Sequence, residues 1–179
     1  MGSKQLIAVG KAALLLVVAI ALQTLLVSRV SVLGVTADLF LIFTVVVAIS
    51  RGSMDGAIFG FVAGVVADVV FVQPLGIRAL IYVLTGYVLG MIVLRFATVS
   101  PWTVLLMAAG ASLFAQFAFG LFQYVIGPRS GFLTMLGVQV LPEAVLDALV
   151  AVPVYVLLVR IRVIPLPRVE AAAGRSGAE

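Results

Sequence analysis

Apolar residues run along this chain in six long stretches, separated by short clusters of charge, glycine and proline. The pattern predicts apolar segments over about residues 6–27, 35–49, 56–72, 77–96, 102–126 and 136–159. Lys4 and Arg29 flank the first. Asp38 opens the second, and Arg51-Gly52-Ser53 stops it. Gln73-Pro74-Leu75-Gly76 ends the third, and Arg95 with the Ser100-Pro101 turn ends the fourth. Gly127-Pro128-Arg129-Ser130-Gly131 closes the fifth, and Arg160-Ile161-Arg162 the sixth. The runs are apolar on all sides and show no alternation with polar residues. That excludes barrel strands, which are about ten residues long with polar positions facing inward. Only helices satisfy every backbone group within such a segment.

Roughly 20 apolar residues span a bilayer as a helix. The second segment is short for that, so tilt, burial or local thinning is expected. Its connection to the third is tight, which predicts a helical hairpin. The first run could be read as a signal peptide because Lys4 and Lys11 precede it. It lacks a clear small-x-small cleavage site and five more apolar segments follow, so it is expected to be retained.

Composition turns this pattern into a fold class. Hydrophobic residues make up 64% of the 179 and charged residues 10%. Soluble domains are about half apolar and about a quarter charged, so no water-soluble fold of this size hides the surplus. The expectation is an all-α membrane protein. It has a six-transmembrane-helix bundle over residues 1–164 and a disordered cytoplasmic tail over 165–179. That tail carries two prolines and few large apolar groups.

Lys and Arg set the orientation. With the N-terminus in the cytoplasm, Lys4, Lys11, Arg51, Arg95, Arg160, Arg162, Arg168 and Arg175 lie inside. Arg29, Arg78 and Arg129 lie outside. Eight against three favours both ends inside. The net charge of +4 therefore reads as topology, not as a nucleic-acid surface. Trp102 and Tyr155 are expected near the cytoplasmic interface, and Tyr82 and Tyr124 near the outer one. The chain has no histidine and no cysteine. That excludes disulfides, thiol catalysis, haem ligation by histidine and the usual zinc sites. No cofactor or metal is expected.

Gly56, Gly60, Gly64 and Asp68 fall at four-residue spacing, on one stripe of a helix. Ala63 and Ala67 widen that smooth face. Small residues let another helix approach closely. The stripe either packs within the bundle, or docks a partner helix or lines a cavity. Gly86 and Gly90 repeat the spacing and are candidates to face it. A carboxylate within a span is usually paired, solvated or functional. Asp68 and Arg78, across the Gln73–Gly76 turn, are candidates for an ion pair or a partner contact, with a water-exposed Asp68 as the remaining reading. Asp38 joins them at the outer end. Gln23, Gln116 and Gln123 read as amides bonding between helices. Glu143 and Asp147 lie one turn apart without a histidine, lysine or metal-ligand companion. They are expected to be solvated near the outer mouth. Pro153 should kink its helix. The Walker A, GxSxG and HExxH patterns are absent.

An ordered set of short motifs resembles a known family. It comprises Leu22-Gln23, Ala37-Asp38-Leu39, and Arg51-Gly52 running through Gly56, Gly60, Gly64 and Asp68. Gln73-Pro74-Leu75-Gly76 and Gly86-Tyr87-Val88-Leu89-Gly90 complete it. Together they resemble the MreD family of rod shape-determining membrane proteins. The resemblance implies a non-enzymatic protein of the bacterial cytoplasmic (inner) membrane. It implies a partner like MreC, a single-span protein with an extracytoplasmic domain. Around that pair it implies an assembly with the MreB filament, the RodA glycosyltransferase and a class B penicillin-binding protein. The implied task is to anchor or regulate lateral peptidoglycan synthesis and rod shape. The family is also distantly similar to the six-helix substrate-binding subunits of energy-coupling-factor vitamin transporters. A rival reading is therefore a small-molecule transport subunit, with a pocket lined by Gln116, Gln123, Glu143 and Asp147. If the glycine stripe docks the partner helix, Gly60→Leu or Gly64→Leu abolishes co-purification with the MreC-like protein while membrane insertion persists.

Overall fold

A computed structural model describes residues 3–25, 34–72, 74–95, 100–126, 137 and 140–161. The side chains of residues 3–9, 123 and 126 fall outside that description, as does the tail over 165–179. The described residues form α1 (Ser3–Leu25), α2 (Leu39–Arg51), α3 (Ser53–Val70), α4 (Ile77–Val93), α5 (Pro101–Ile126) and α6 (Leu141–Arg160). The stretches Ser53–Val70, Pro101–Phe122 and Leu141–Arg160 are long and apolar enough to cross a membrane. Gly10–Leu25, Leu39–Arg51 and Ile77–Val93 are shorter apolar helices.

The short second segment sits at the centre. From Leu39 to Ile49 no residue of α2 is more than 4% exposed. A helix that is apolar all round is a buried helix, and α2 touches all five others. At 1.5 Å per residue it is only about 20 Å long, against a hydrocarbon core of about 30 Å. It begins at Leu39, not at Val35, because Asp38 has extended backbone and its side chain accepts a hydrogen bond from the Leu41 N–H. Two buried threonines satisfy their hydroxyls within their own helices, whereas the buried Ser50 hydroxyl has no partner among the described residues. Thr44 donates to the Phe40 carbonyl and Thr85 to the Ile81 carbonyl.

One residue joins α2 to α3. Gly52 has φ +95° and ψ −173° and donates to the Ala48 carbonyl at 3.0 Å, closing α2 while opening α3. That backbone region belongs to glycine.

The glycine stripe faces inward. A Cβ at Gly56 would lie 2.7 Å from Ala48 Cβ and 2.8 Å from the Gly86 carbonyl oxygen. One at Gly60 would lie 2.5 Å from the Tyr82 carbonyl oxygen, and one at Gly64 2.6 Å from the Ala79 nitrogen. Gly86 lies against the Gly56 backbone, and Gly90 against Gly52 and Ser53. These contacts define an antiparallel α3–α4 pair in backbone-to-backbone contact, with α2 across the same seam. The stripe is therefore filled by its own chain and has no room for a partner helix. The docking expectation fails for a steric reason that spacing alone does not reveal.

A second small-residue pair lies between α5 and α6. Ala108, Ala111 and Ala115 are buried on one, and Ala144, Ala148 and Ala151 on the other. Hydrogen bonds from Ser112 to Asp147 and from Gln116 to Glu143, both 2.5 Å, set their antiparallel register. Without a hydrophobic drive between helices in lipid, such close packing and a few polar links hold a bundle together.

Gly60→Leu is expected to destabilise the fold by about 3 kcal/mol or more through overpacking. Gly52→Ala, which meets no neighbouring atom, is expected to cost about 1–3 kcal/mol through backbone strain alone. Melting midpoints in detergent check both.

Candidate functional site

At one end of the bundle the elements converge on Arg78, the second residue of α4. Asp68, at the end of the glycine stripe, lies over the start of that helix. Its Oδ2 accepts from the Gly76 N–H at 2.7 Å and its Oδ1 from the Arg78 N–H at 3.2 Å. Gly76, the N-cap residue, supplies no side-chain cap, so a carboxylate from the neighbouring helix serves instead. Negative charge is favoured there by the helix dipole. Asp68 and Arg78 do meet, but through the arginine backbone.

The guanidinium turns elsewhere. Nη1 of Arg78 donates to Asp38 Oδ2 at 2.7 Å and to the Tyr82 hydroxyl at 3.0 Å, while that hydroxyl donates to the same Asp38 oxygen. The rings of Phe71 and Phe119 cover the guanidinium, 4.6 and 4.5 Å from its carbon to their centroids. Cation–π contact of this kind gains strength where water is excluded. Tyr82 is 1% exposed. It is part of this cluster and not the interfacial anchor the sequence suggested. Tyr155, at 5%, is likewise buried.

Asp38 organises the start of α2 from both sides. Its own N–H donates to Asp147 Oδ1 at 2.8 Å. Gln23 brackets it, accepting from the Leu39 N–H at 3.0 Å and donating to the Ala37 carbonyl at 3.1 Å. Asp147 is 1% exposed, so it is not a solvated carboxylate. It holds the Asp38 backbone and takes the Ser112 hydroxyl. Glu143, half-buried one turn earlier, is held by Gln116.

Beside this network lies a pocket of about 200 Å³, lined by residues 34–38, Phe71, Arg78 and Glu143. Of the four candidate cavity liners, Glu143 alone borders it. Gln116 and Asp147 make internal bonds, and the Gln123 side chain lies outside the described residues. Asp38, Asp68 and Arg78 come together. Gly56, Gly60, Gly64, Gly86 and Gly90 position them without joining the site. Sequence reasoning missed Tyr82, Phe71, Phe119 and Ser112. One signal was available: Ser112 and Gln116 are four apart, as are Glu143 and Asp147, which matches two polar pairs across two helices.

The model of the family of rod shape-determining protein MreD matches residues 4–161. The chain belongs to the MreD family. It is thereby a membrane protein with a role in rod shape determination. No curated protein and no solved structure matches it. In this MreD-family chain the matched region contains the whole polar network, from Gln23 to Asp147.

Removing one partner of a buried ion pair leaves an uncompensated charge. Arg78→Met is expected to lose about 3–5 kcal/mol of stability. Adding Asp38→Asn, which keeps a capping oxygen but removes the charge, should recover much of that. Unfolding of the single and double variants measures the difference.

Proposed function

We propose that the chain is a non-enzymatic scaffold and regulator of the bacterial elongation machinery, crossing the cytoplasmic membrane six times with both ends inside. It binds the single helix of an MreC-like partner. Through that contact it supports lateral peptidoglycan synthesis by an assembly containing RodA, a class B penicillin-binding protein and MreB. Family membership supports the shape-determining role. The basic residues, eight against three, support the orientation.

The observation that carries the partner-binding reading is an unfilled groove. It lies between α4 and α5 and measures about 470 Å³. Val88, Leu89, Ile92, Leu106, Met107 and Phe114 line it, with Thr85 and Thr103, and Gly110 and Ala111 leave it smooth. A Cβ at Gly110 would meet nothing within 4 Å, in contrast to every glycine of the α3–α4 seam. A single transmembrane helix associates through such a small-residue surface by van der Waals packing. This reading puts the partner helix on the α4–α5 groove, since the α3–α4 seam is filled by its own chain.

Gly110→Phe is expected to reduce co-purification with the MreC-like protein about tenfold or more, equivalent to about 1.4 kcal/mol, while the melting midpoint of the isolated chain stays unchanged. Undiminished co-purification would remove the groove from the account. The chain has no cysteine, so single substitutions report topology directly. Ser53→Cys should label only from the cytoplasm and Pro74→Cys only from outside.

A further inference from the structure

The pocket beside Arg78 is not explained by scaffolding. A helix-docking protein does not need an opening walled by an arginine and a glutamate. The hydrogen-bonding capacity left on those walls defines what would fill it.

The guanidinium carries five N–H donors in a planar fork. Among the described residues its side-chain hydrogen bonds all run through Nη1, to Asp38 and Tyr82. Nε is buried with no hydrogen-bond partner. Phe71 and Phe119 cover the guanidinium, so Nη2 is what remains for a ligand. Its N–H groups form strong, charge-assisted hydrogen bonds with a carboxylate or a phosphate.

The acidic groups on the wall are unequal. Asp38 is fully engaged, with Oδ1 on the Leu41 N–H and Oδ2 on Arg78 and Tyr82. Its charge offsets that of Arg78. Glu143 has one hydrogen bond among the described residues, from Gln116 to Oε1, and no arginine or lysine pairs with it there. A ligand carrying only negative charge would satisfy Nη2 but leave Glu143 Oε2 without a donor. A ligand carrying only positive charge would answer Glu143 and leave Nη2 empty. Neither describes the pair.

We infer that this pocket binds a small zwitterion, with an anionic oxygen on Arg78 Nη2 and its primary ammonium on Glu143. A volume of about 200 Å³ suits a headgroup-sized molecule. The same chemistry comes from two sources, a free amino acid or phosphoamine and the headgroup of an ethanolamine phospholipid. The inference is independent of the scaffold reading and stands whether or not a helix occupies the α4–α5 groove.

The test uses the full chain in detergent and in nanodiscs. O-phosphoethanolamine and glycine are the zwitterionic probes. Ethanolamine, inorganic phosphate and phosphocholine, which lacks ammonium N–H donors, are the comparisons. The expected result is a saturable rise of roughly 2–4 °C in melting midpoint with a zwitterionic probe, absent with all three comparisons. Glu143→Gln keeps the side-chain shape and an oxygen for Gln116, and should weaken that response at least tenfold. A response to the soluble probes assigns a free ligand. A rise in phosphatidylethanolamine nanodiscs over phosphatidylcholine ones, lost in Glu143→Gln, assigns the lipid. The inference is overturned if no probe and no lipid shifts the midpoint. It is equally overturned if ethanolamine or phosphate alone matches the zwitterion, or if Glu143→Gln responds as the parent does. The probe comparison on the parent chain decides the matter even if the variant does not fold.

Discussion

A helix that starts buried among other helices leaves backbone N–H groups in need of acceptors. Each such group costs free energy unless something accepts from it. Asp38 stands at that point in α2. Its side chain takes the Leu41 N–H, Gln23 takes the Leu39 N–H, and Asp147 takes the N–H of Asp38 itself. A buried carboxylate then needs a counter-charge, and Arg78 supplies it at 2.7 Å. Arg78 in turn has its backbone held by Asp68. The requirement to begin α2 inside the bundle thus ties α1, α3, α4 and α6 together at one end. Ser112, bonded to Asp147, adds α5.

The other organising constraint is distance. Directional bonds of this kind tolerate little error, and the helices carrying them must lie close. Gly56, Gly60 and Gly64 opposite Tyr82, Gly86 and Ala79 bring the α3 and α4 backbones together, which places Asp68 over the start of α4. The alanine faces of α5 and α6 do the same for Ser112 with Asp147 and Gln116 with Glu143. Small residues and polar residues therefore serve one design. The first set the spacing, and the second use it.

This arrangement separates two surfaces with different chemistry. The polar network and its pocket lie at the end of the bundle where α2 and α4 start. The apolar groove between α4 and α5 runs along its side, away from any charge. A helix packed on the groove would touch none of the residues of the network.

Much of the fold was legible in the chain because apolar runs, basic flanks and turn residues act locally. Asp38 as a helix start, the four-residue glycine stripe and the turn at Gln73–Gly76 all follow from short-range rules of capping, spacing and backbone freedom. The composition alone required lipid-embedded helices. What the chain could not show was which surfaces meet. Spacing marked the stripe as smooth but not as filled from within. It marked Asp68 and Arg78 as neighbours but not that the arginine side chain turns to Asp38, forty residues away in sequence. It put Tyr82 at an interface by residue type, whereas the bundle buries it against that ion pair. These choices depend on three-dimensional proximity between helices. In lipid, where apolar faces are nearly interchangeable in energy, a few bonds and close contacts decide the pairing, and only the tertiary structure reveals them.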